Sequence, residues 1–240
     1  MRSGFRVSKS SRRSSEESEE ELLEAIYRLE EKEGSARTSD LASMLKASSL
    51  GSITSAVESL EERGLVRHRP YHGVKLANEG RRKALAVIRR HRLSERLLTD
   101  VLHLRWSDVH EAACKLEHSL TKPVINAIEK TLGRPRTCPH GNPIPSSSGE
   151  VEEVECEPMI KVEPGQSCTI VKIVDEDPQL LQYFASLGIF PGAKAKVEEK
   201  APFGGPILLR ILGTSYALGR EPAASIWVRR AVSAKAKAYK

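Results

Sequence analysis

The segment His110-Glu111-Ala112-Ala113-Cys114-Lys115-Leu116-Glu117-His118 gathers side chains that bind metals. Wound as a helix of about 3.6 residues per turn, it sets His110, Cys114, Glu117 and His118 on one stripe, because positions i, i+4, i+7 and i+8 share a face. Imidazole, carboxylate and thiolate together suit a divalent transition ion. The oxygen and nitrogen donors accommodate Fe(II) or Mn(II), and the soft thiolate shifts preference towards iron, zinc or nickel. Upstream, His91 and Glu95 repeat the i, i+4 pairing on a second predicted helix. A single helical histidine is ordinarily a surface or core residue. The argument here rests on several ligand types recurring at ligand spacing.

The elements that must position these groups follow from apolar periodicity. A first helix is expected from near Ser18, with Leu22, Leu23, Ile26 and Leu29 inward and Gly34 at its end. Thr38 or Ser39 is expected to cap a second helix carrying Leu41, Ala42 and Leu45. A third should start near Gly51, bury Ile53, Val57 and Leu60, and stop at Gly64. Leu65–Arg69 and Val74–Leu76 flank the turn Pro70-Tyr71-His72-Gly73 as a hairpin. Helix, turn, helix and then hairpin is the order of a winged helix-turn-helix. A long helix from Asn78 through Leu98 comes next, followed by the ligand-bearing helix with Ser107 as cap. Val109, Ala113, Leu116 and Leu120 should form its second seam, and a further helix covers Pro123 to Leu132.

Between Gly133 and Glu157 the composition turns to Pro, Gly, Ser and Glu, as in a linker. Strand character then recurs at Ser167–Val174, Ala193–Val197, Ile207–Leu212 and Ser225–Val228, with one helical turn at Gln179–Leu187. Short glycine-punctuated strands of this kind predict a small barrel. The expected division is 1–17 a disordered arm, 18–78 winged helix-turn-helix, 79–146 metal binding and dimerisation, 147–162 linker, 163–230 β domain and 231–240 basic tail.

The chain has 240 residues, 39% of them hydrophobic, and a formal net charge of +6. No apolar run approaches the roughly 18 residues that span a bilayer, and Met1–Ser15 lacks the apolar run of a signal peptide. A cytoplasmic protein with no membrane partner is expected. Cys114, Cys138, Cys156 and Cys168 form no C-x-x-C pair and are expected to stay thiols. Glu16, Glu17, Glu19, Glu20, Glu21 and Glu24 form an acidic block, read chiefly as a solvated first turn favoured by the helix dipole.

Three segments in order, His91–Leu98, His110–His118 and Gly141-Asn142-Pro143-Ile144-Pro145, resemble the iron-dependent, diphtheria toxin repressor-like family of metal-responsive regulators. Leu187-Gly188-Ile189-Phe190-Pro191-Gly192 resembles that family's SH3-like domain. The resemblance implies a mainly α protein with β: a winged helix-turn-helix, a helical dimerisation domain and an SH3-like barrel. It also implies two metal sites per subunit. Cys114, Glu117 and His118 fall on the primary site, with Glu21 at the position supplied by the first helix. His91, Glu95 and His110 fall on the ancillary site. An acid at Glu21 follows the manganese-responsive pattern and Cys114 the iron-responsive one, so Fe(II) is expected and Mn(II) is the alternative. Asp177 sits nearest the acidic ligand that the SH3-like domain supplies; its glutamine partner falls near Leu180, with Gln179 and Gln182 close by.

For DNA, Ser49, Gly51, Ser52, Thr54 and Ser55 lie at the start of the expected recognition helix. They are short and neutral, so thymine-methyl contact and DNA shape should matter more than direct readout. Arg37, Lys46, Arg67, His68 and Arg69 are candidate phosphate contacts. The resulting expectation is a homodimeric, metal-activated repressor on a palindromic double-stranded operator. A metallohydrolase or cysteine enzyme is disfavoured, since enough ligands surround Cys114 to close the site and no nucleotide or nucleophile motif appears. A metal-transport accessory protein is the other alternative, and the helix-turn-helix argues against it.

Overall fold

The computed structural model describes residues 15–69, 71–152 and 154–231. Two compact units divide it at Ile88/Arg89. The expected disorder of residues 1–14 and the basic tail Lys235–Lys240 lie outside the described residues.

The first unit opens with α1 (Ser15–Glu33), which buries Leu22, Leu23, Ile26 and Leu29 as its periodicity requires. It starts earlier than expected, taking Ser15–Glu17 from the arm into its first turn. α2 (Thr38–Met44) has Arg37 at the N-cap with no side-chain cap, so neither Thr38 nor Ser39 plays that part. α3 (Leu50–Glu62) is capped by Ser49, whose hydroxyl accepts from the Ser52 amide, and it buries Ile53, Val57 and Leu60. β1 (Val66–Arg69) and β2 (Gly73–Leu76) pair antiparallel with Arg67 opposite Lys75. This is the winged helix-turn-helix the sequence predicts. Gly80 lets the start of α4 (Asn78–Arg96) close on the wing, since a Cβ there would lie 2.0 Å from the Leu65 carbonyl oxygen.

In the second unit the end of α4 passes into a π-helical turn at Leu97–Val101. α5 (Val109–Glu117) begins after Asp108, which provides no side-chain cap. Ser107 bonds to the Asp108 carboxylate instead of capping. α6 is Lys122–Thr131. The expected seam on α5 divides: Val109 and Ala113 pack with Leu98, while Leu120 lies beyond the helix against the cluster of Leu93, Ile125, Ile128 and Ile144.

The β domain is a six-stranded antiparallel sheet in the order β3-β8-β4-β5-β6-β7. Its strands are β3 (Glu157–Pro158), β4 (Ser167–Ile173), β5 (Lys194–Lys200), β6 (Ile207–Ile211), β7 (Thr214–Leu218) and β8 (Ile226–Arg230), with α7 (Pro178–Ser186) and α8 (Arg220–Ser225) between them. The expected linker 147–162 overruns into this domain, because β3 pairs with β8 and Met159 and Val162 are fully buried in its core. β7 and α8 were not expected.

Candidate metal centre

Buried on α4, His91 presents each ring nitrogen to a carboxylate. Nδ1 lies 2.6 Å from Glu117 Oε2 and Nε2 lies 3.2 Å from Glu95 Oε1. Glu117 is held against α4 because Arg90 Nε donates to its main-chain carbonyl at the end of α5 (2.9 Å). From α5, Cys114 Sγ sits 3.7 Å from His110 Nε2 and 3.9 Å from His91 Nδ1. His118, just past the helix, places Nε2 3.2 Å from Glu117 Oε1. The two expected ligand sets therefore adjoin, with His91 facing both.

The acidic ligand of the β domain is corrected. Asp177 is exposed and caps α7, its Oδ1 accepting from the amides of Gln179 (2.9 Å) and Leu180 (3.0 Å). Buried Glu176 instead reaches the site, with Oε2 3.1 Å from His110 Nδ1. Among the expected glutamines, Gln182 contacts Asp108 (3.4 Å) and Gln179 is exposed. Asp before Pro at a helix start reads as a cap, and that signal could have released Asp177 from the ligand set.

Two further residues were missed. Fully buried His140 places Nδ1 3.3 Å from Glu95 Oε1 and 3.6 Å from Glu176 Oε1, and Cys138 Sγ lies 3.9 Å from the same nitrogen. Arginines of α4 hold this loop by its carbonyls: Arg89 on Pro145 (2.6 Å), Arg92 on Pro143 and Arg96 on Thr137 (2.8 Å). On the other side, Gly141 has φ +85° and a Cβ there would meet the Val171 carbonyl oxygen at 2.1 Å. The loop therefore lies flush on β4, where Asn142 Nδ2 donates to the Ile173 carbonyl (2.9 Å) and to Glu176 Oε1 (3.0 Å).

The electrostatics are those of a cation site. Burial opposes charge on all these groups, yet the carboxylates draw protons onto the imidazoles. Burial would lower the His91 pKa, but the charge of Glu95 and the bonds to Cys114 and Glu117 hold it well above its ordinary value. Against burial, Cys114 and Glu176 push His110 up to about 11, and Cys138 and Glu95 do the same to His140. Glu95 is held well below the carboxylate range by His91, His110 and His140, despite full burial. Burial pushes the Cys114 thiol up, and His110 and His91 bring it below its ordinary value. The residues fit a metal on a further count: Glu95 Oε2 is buried without a hydrogen-bond partner. Leaving such an acceptor unpaired costs at least about 1–3 kcal/mol, which a coordinated cation would offset.

Glu21 is half-buried on α1 in the first unit. On α3, Gly51, Ser52 and Ser55 are exposed and Thr54 is half-buried, but several hydroxyls are already engaged. Besides Ser49, Ser52 Oγ donates to the Ser49 carbonyl (2.7 Å) and Thr54 Oγ1 to that of Leu50 (3.1 Å). Arg37, Lys46, Arg67 and Arg69 are exposed and His68 is half-buried.

A winged helix joined to a buried mixed-donor cluster and a small β domain defines a class, the metal-responsive DNA-binding regulators. Residues 16–74 match the N-terminal DNA-binding domain of iron-dependent repressors, 77–146 their metal-binding and dimerisation domain, and 158–230 a FeoA domain. The iron-dependent repressor IdeR of Mycobacterium leprae is 31% identical over 202 residues, 79% of this chain and 87% of that protein. Mycobacterium tuberculosis IdeR is 32% identical over 198 residues, 78% of this chain and 85% of that protein. A solved manganese-dependent transcriptional repressor in complex with manganese aligns with TM-score 0.82 at 35% identity, over 89% of this chain and all of that one. The chain belongs to the iron-dependent repressor family.

Proposed function

We propose that this chain is a cytoplasmic, homodimeric repressor whose operator binding is switched on by Fe(II), with Mn(II) as the alternative effector. The observation that carries the reading is the convergence of His91, Glu95, His110 and Glu176, whose ligand atoms lie within 4.8 Å of one another. His91, His110 and Cys114 meet the same distance criterion. A divalent cation held there would neutralise the buried carboxylates and complete their coordination. His91 and Glu95 fix one face from α4, His110 and Cys114 a second from α5, and Glu176 a third from the segment before α7. Glu117 and His118 extend the donor set as the primary site. Glu21 is assigned to it on family resemblance alone, and Glu21→Gln tests that assignment. Protein donors surround the centre on several sides, which supports a regulatory rather than a catalytic ion. Among the described residues no helix is long and apolar enough to cross a membrane.

For DNA, α3 enters the major groove through its N-terminal residues and the wing arginines meet phosphates. Two copies related by a two-fold axis imply a palindromic operator. An effector shifts such an equilibrium only by binding the DNA-competent arrangement more tightly. The test is retention on a palindromic promoter fragment with Fe(II), with Mn(II), and with chelator. Wild type should be retained with metal only, whereas His91→Ala should lose retention in all conditions. Retention indifferent to metal and to His91→Ala would refute the reading.

A further inference from the structure

The ligand set used so far leaves Cys138 and His140 unaccounted for. His140 Nε2 lies 2.8 Å from the Trp106 carbonyl oxygen, an acceptor only, so Nε2 carries a proton and donates it. That fixes the tautomer and leaves Nδ1 as the nitrogen with a free lone pair, the same orientation device that outer-shell carbonyls provide for metal-bound histidines. Nδ1 points at Glu95 and Glu176 rather than at solvent. Glu95, Cys138, His140 and Glu176 are all buried and bring one ligand atom each within 4.8 Å of the others. The two oxygens of Glu176 face different ways: Oε2 is nearest His110, and Oε1 is nearest His140. Glu95 is common to both groups as well, and its Oε2 is the buried carboxylate oxygen without a hydrogen-bond partner.

We propose that Cys138 and His140, with Glu95 and Glu176, form an additional divalent-cation site that shares its two carboxylates with the His91/His110 centre, making a paired-metal centre. One thiolate, one imidazole and two carboxylates match a borderline-soft ion such as Fe(II), Co(II) or Zn(II) rather than Mn(II). Binding releases the Cys138 thiol proton to solvent and involves no electron transfer. The Cys138–Gly141 turn supports the geometry because its ends are tied, with the Cys138 amide donating to the Asn142 carbonyl (2.8 Å) and the Ile173 amide to the His140 carbonyl (2.9 Å). The proposal extends the metal-activated reading given above but makes its own demand on where metal binds.

Cobalt(II) is the probe, on the full chain. Crystals of the wild-type protein with Co(II) should give an anomalous peak within bonding distance of Cys138 Sγ and His140 Nδ1, besides one at His91 and His110. In solution, Cys114→Ser should retain a thiolate-to-cobalt charge-transfer band, and adding Cys138→Ser should abolish it and lower the bound cobalt by one ion per chain. A peak at His91 and His110 with none at Cys138 overturns this proposal and leaves the regulatory reading standing. So does the absence of any charge-transfer band in Cys114→Ser. Cobalt at neither position would sink both.

Discussion

Three consecutive acids, Asp175, Glu176 and Asp177, differ in role because their surroundings differ. Only Glu176 is buried, and it faces His110, while the Asp177 carboxylate is spent on the first amides of α7. The two substitutions should therefore separate. Asp177→Ala should cost about 1 kcal/mol of stability as a lost N-cap, with metal affinity unchanged. Glu176→Gln should leave α7 capped and lower metal affinity at the His91/His110 centre at least about tenfold, the scale of one lost coordinating charge at about 1.4 kcal/mol per decade. Thermal melts and cobalt titrations of both variants make the comparison. Equal metal affinities for Glu176→Gln and wild type would remove Glu176 from the ligand set. His91 illustrates the same dependence on context: it was assigned with Glu95 and His110, yet its shortest contact is to Glu117 of the other expected set.

Elements were legible where one periodicity decided them. The buried faces of α1 and α3 and the hairpin around Tyr71-His72-Gly73 follow from local pattern alone. Helix starts were less so, since Arg37 and Asp108 occupy N-caps without capping side chains while hydroxyls stand beside them. β3 and α8 escaped because neither has a pattern of its own; β3 exists through pairing with β8. The Cys138–Gly141 turn escaped for a related reason. It acquires meaning only when Arg89, Arg92 and Arg96 fix its carbonyls and bring it to Glu95, 43 or more positions earlier in sequence. The acidic block on α1 was read chiefly as solvated, but Glu19 joins three helices of the first unit. It accepts from both guanidinium nitrogens of Arg63 at the end of α3 and from Lys83 of α4 (2.9 Å). Burial raises its pKa, and these two cations outweigh burial to hold it below the usual 4.5. A depressed carboxyl contributes stability above its unfolded pKa and loses it as pH falls through the folded one. Glu19→Gln should thus melt below wild type at neutral pH, and the gap should close below about pH 4. A gap that persisted at low pH would mean the ion pairs contribute nothing and the substitution acts through packing.

Across the whole molecule the net charge of +6 is modest, so affinity for a polyanion must come from placement. On the wing, Arg67 and Arg69 lie two positions apart on β1 and hence on one face, and Lys75 stands opposite Arg67 in register. All three side chains are exposed, whereas Val66 and Val74 turn into the core. Few uncommitted side chains remain on α3 for reading bases, because the Ser49, Ser52 and Thr54 hydroxyls already bond to its backbone. Phosphate contact should then supply most of the affinity, and such contact is measured by its salt dependence. Each phosphate neutralised releases condensed counterions and contributes about −0.9 to the slope of log K against log salt concentration. Arg67→Ala and Arg69→Ala should each flatten that slope by about 0.9 and weaken operator and unrelated duplex alike. Metal binding should be unaffected, since both substitutions lie outside the unit that holds the donor cluster. Fluorescence anisotropy over a salt series, with saturating metal, reads the slope directly. Slopes equal to wild type in both variants would leave these arginines as solvated charges and transfer the phosphate contacts to Arg37 and Lys46.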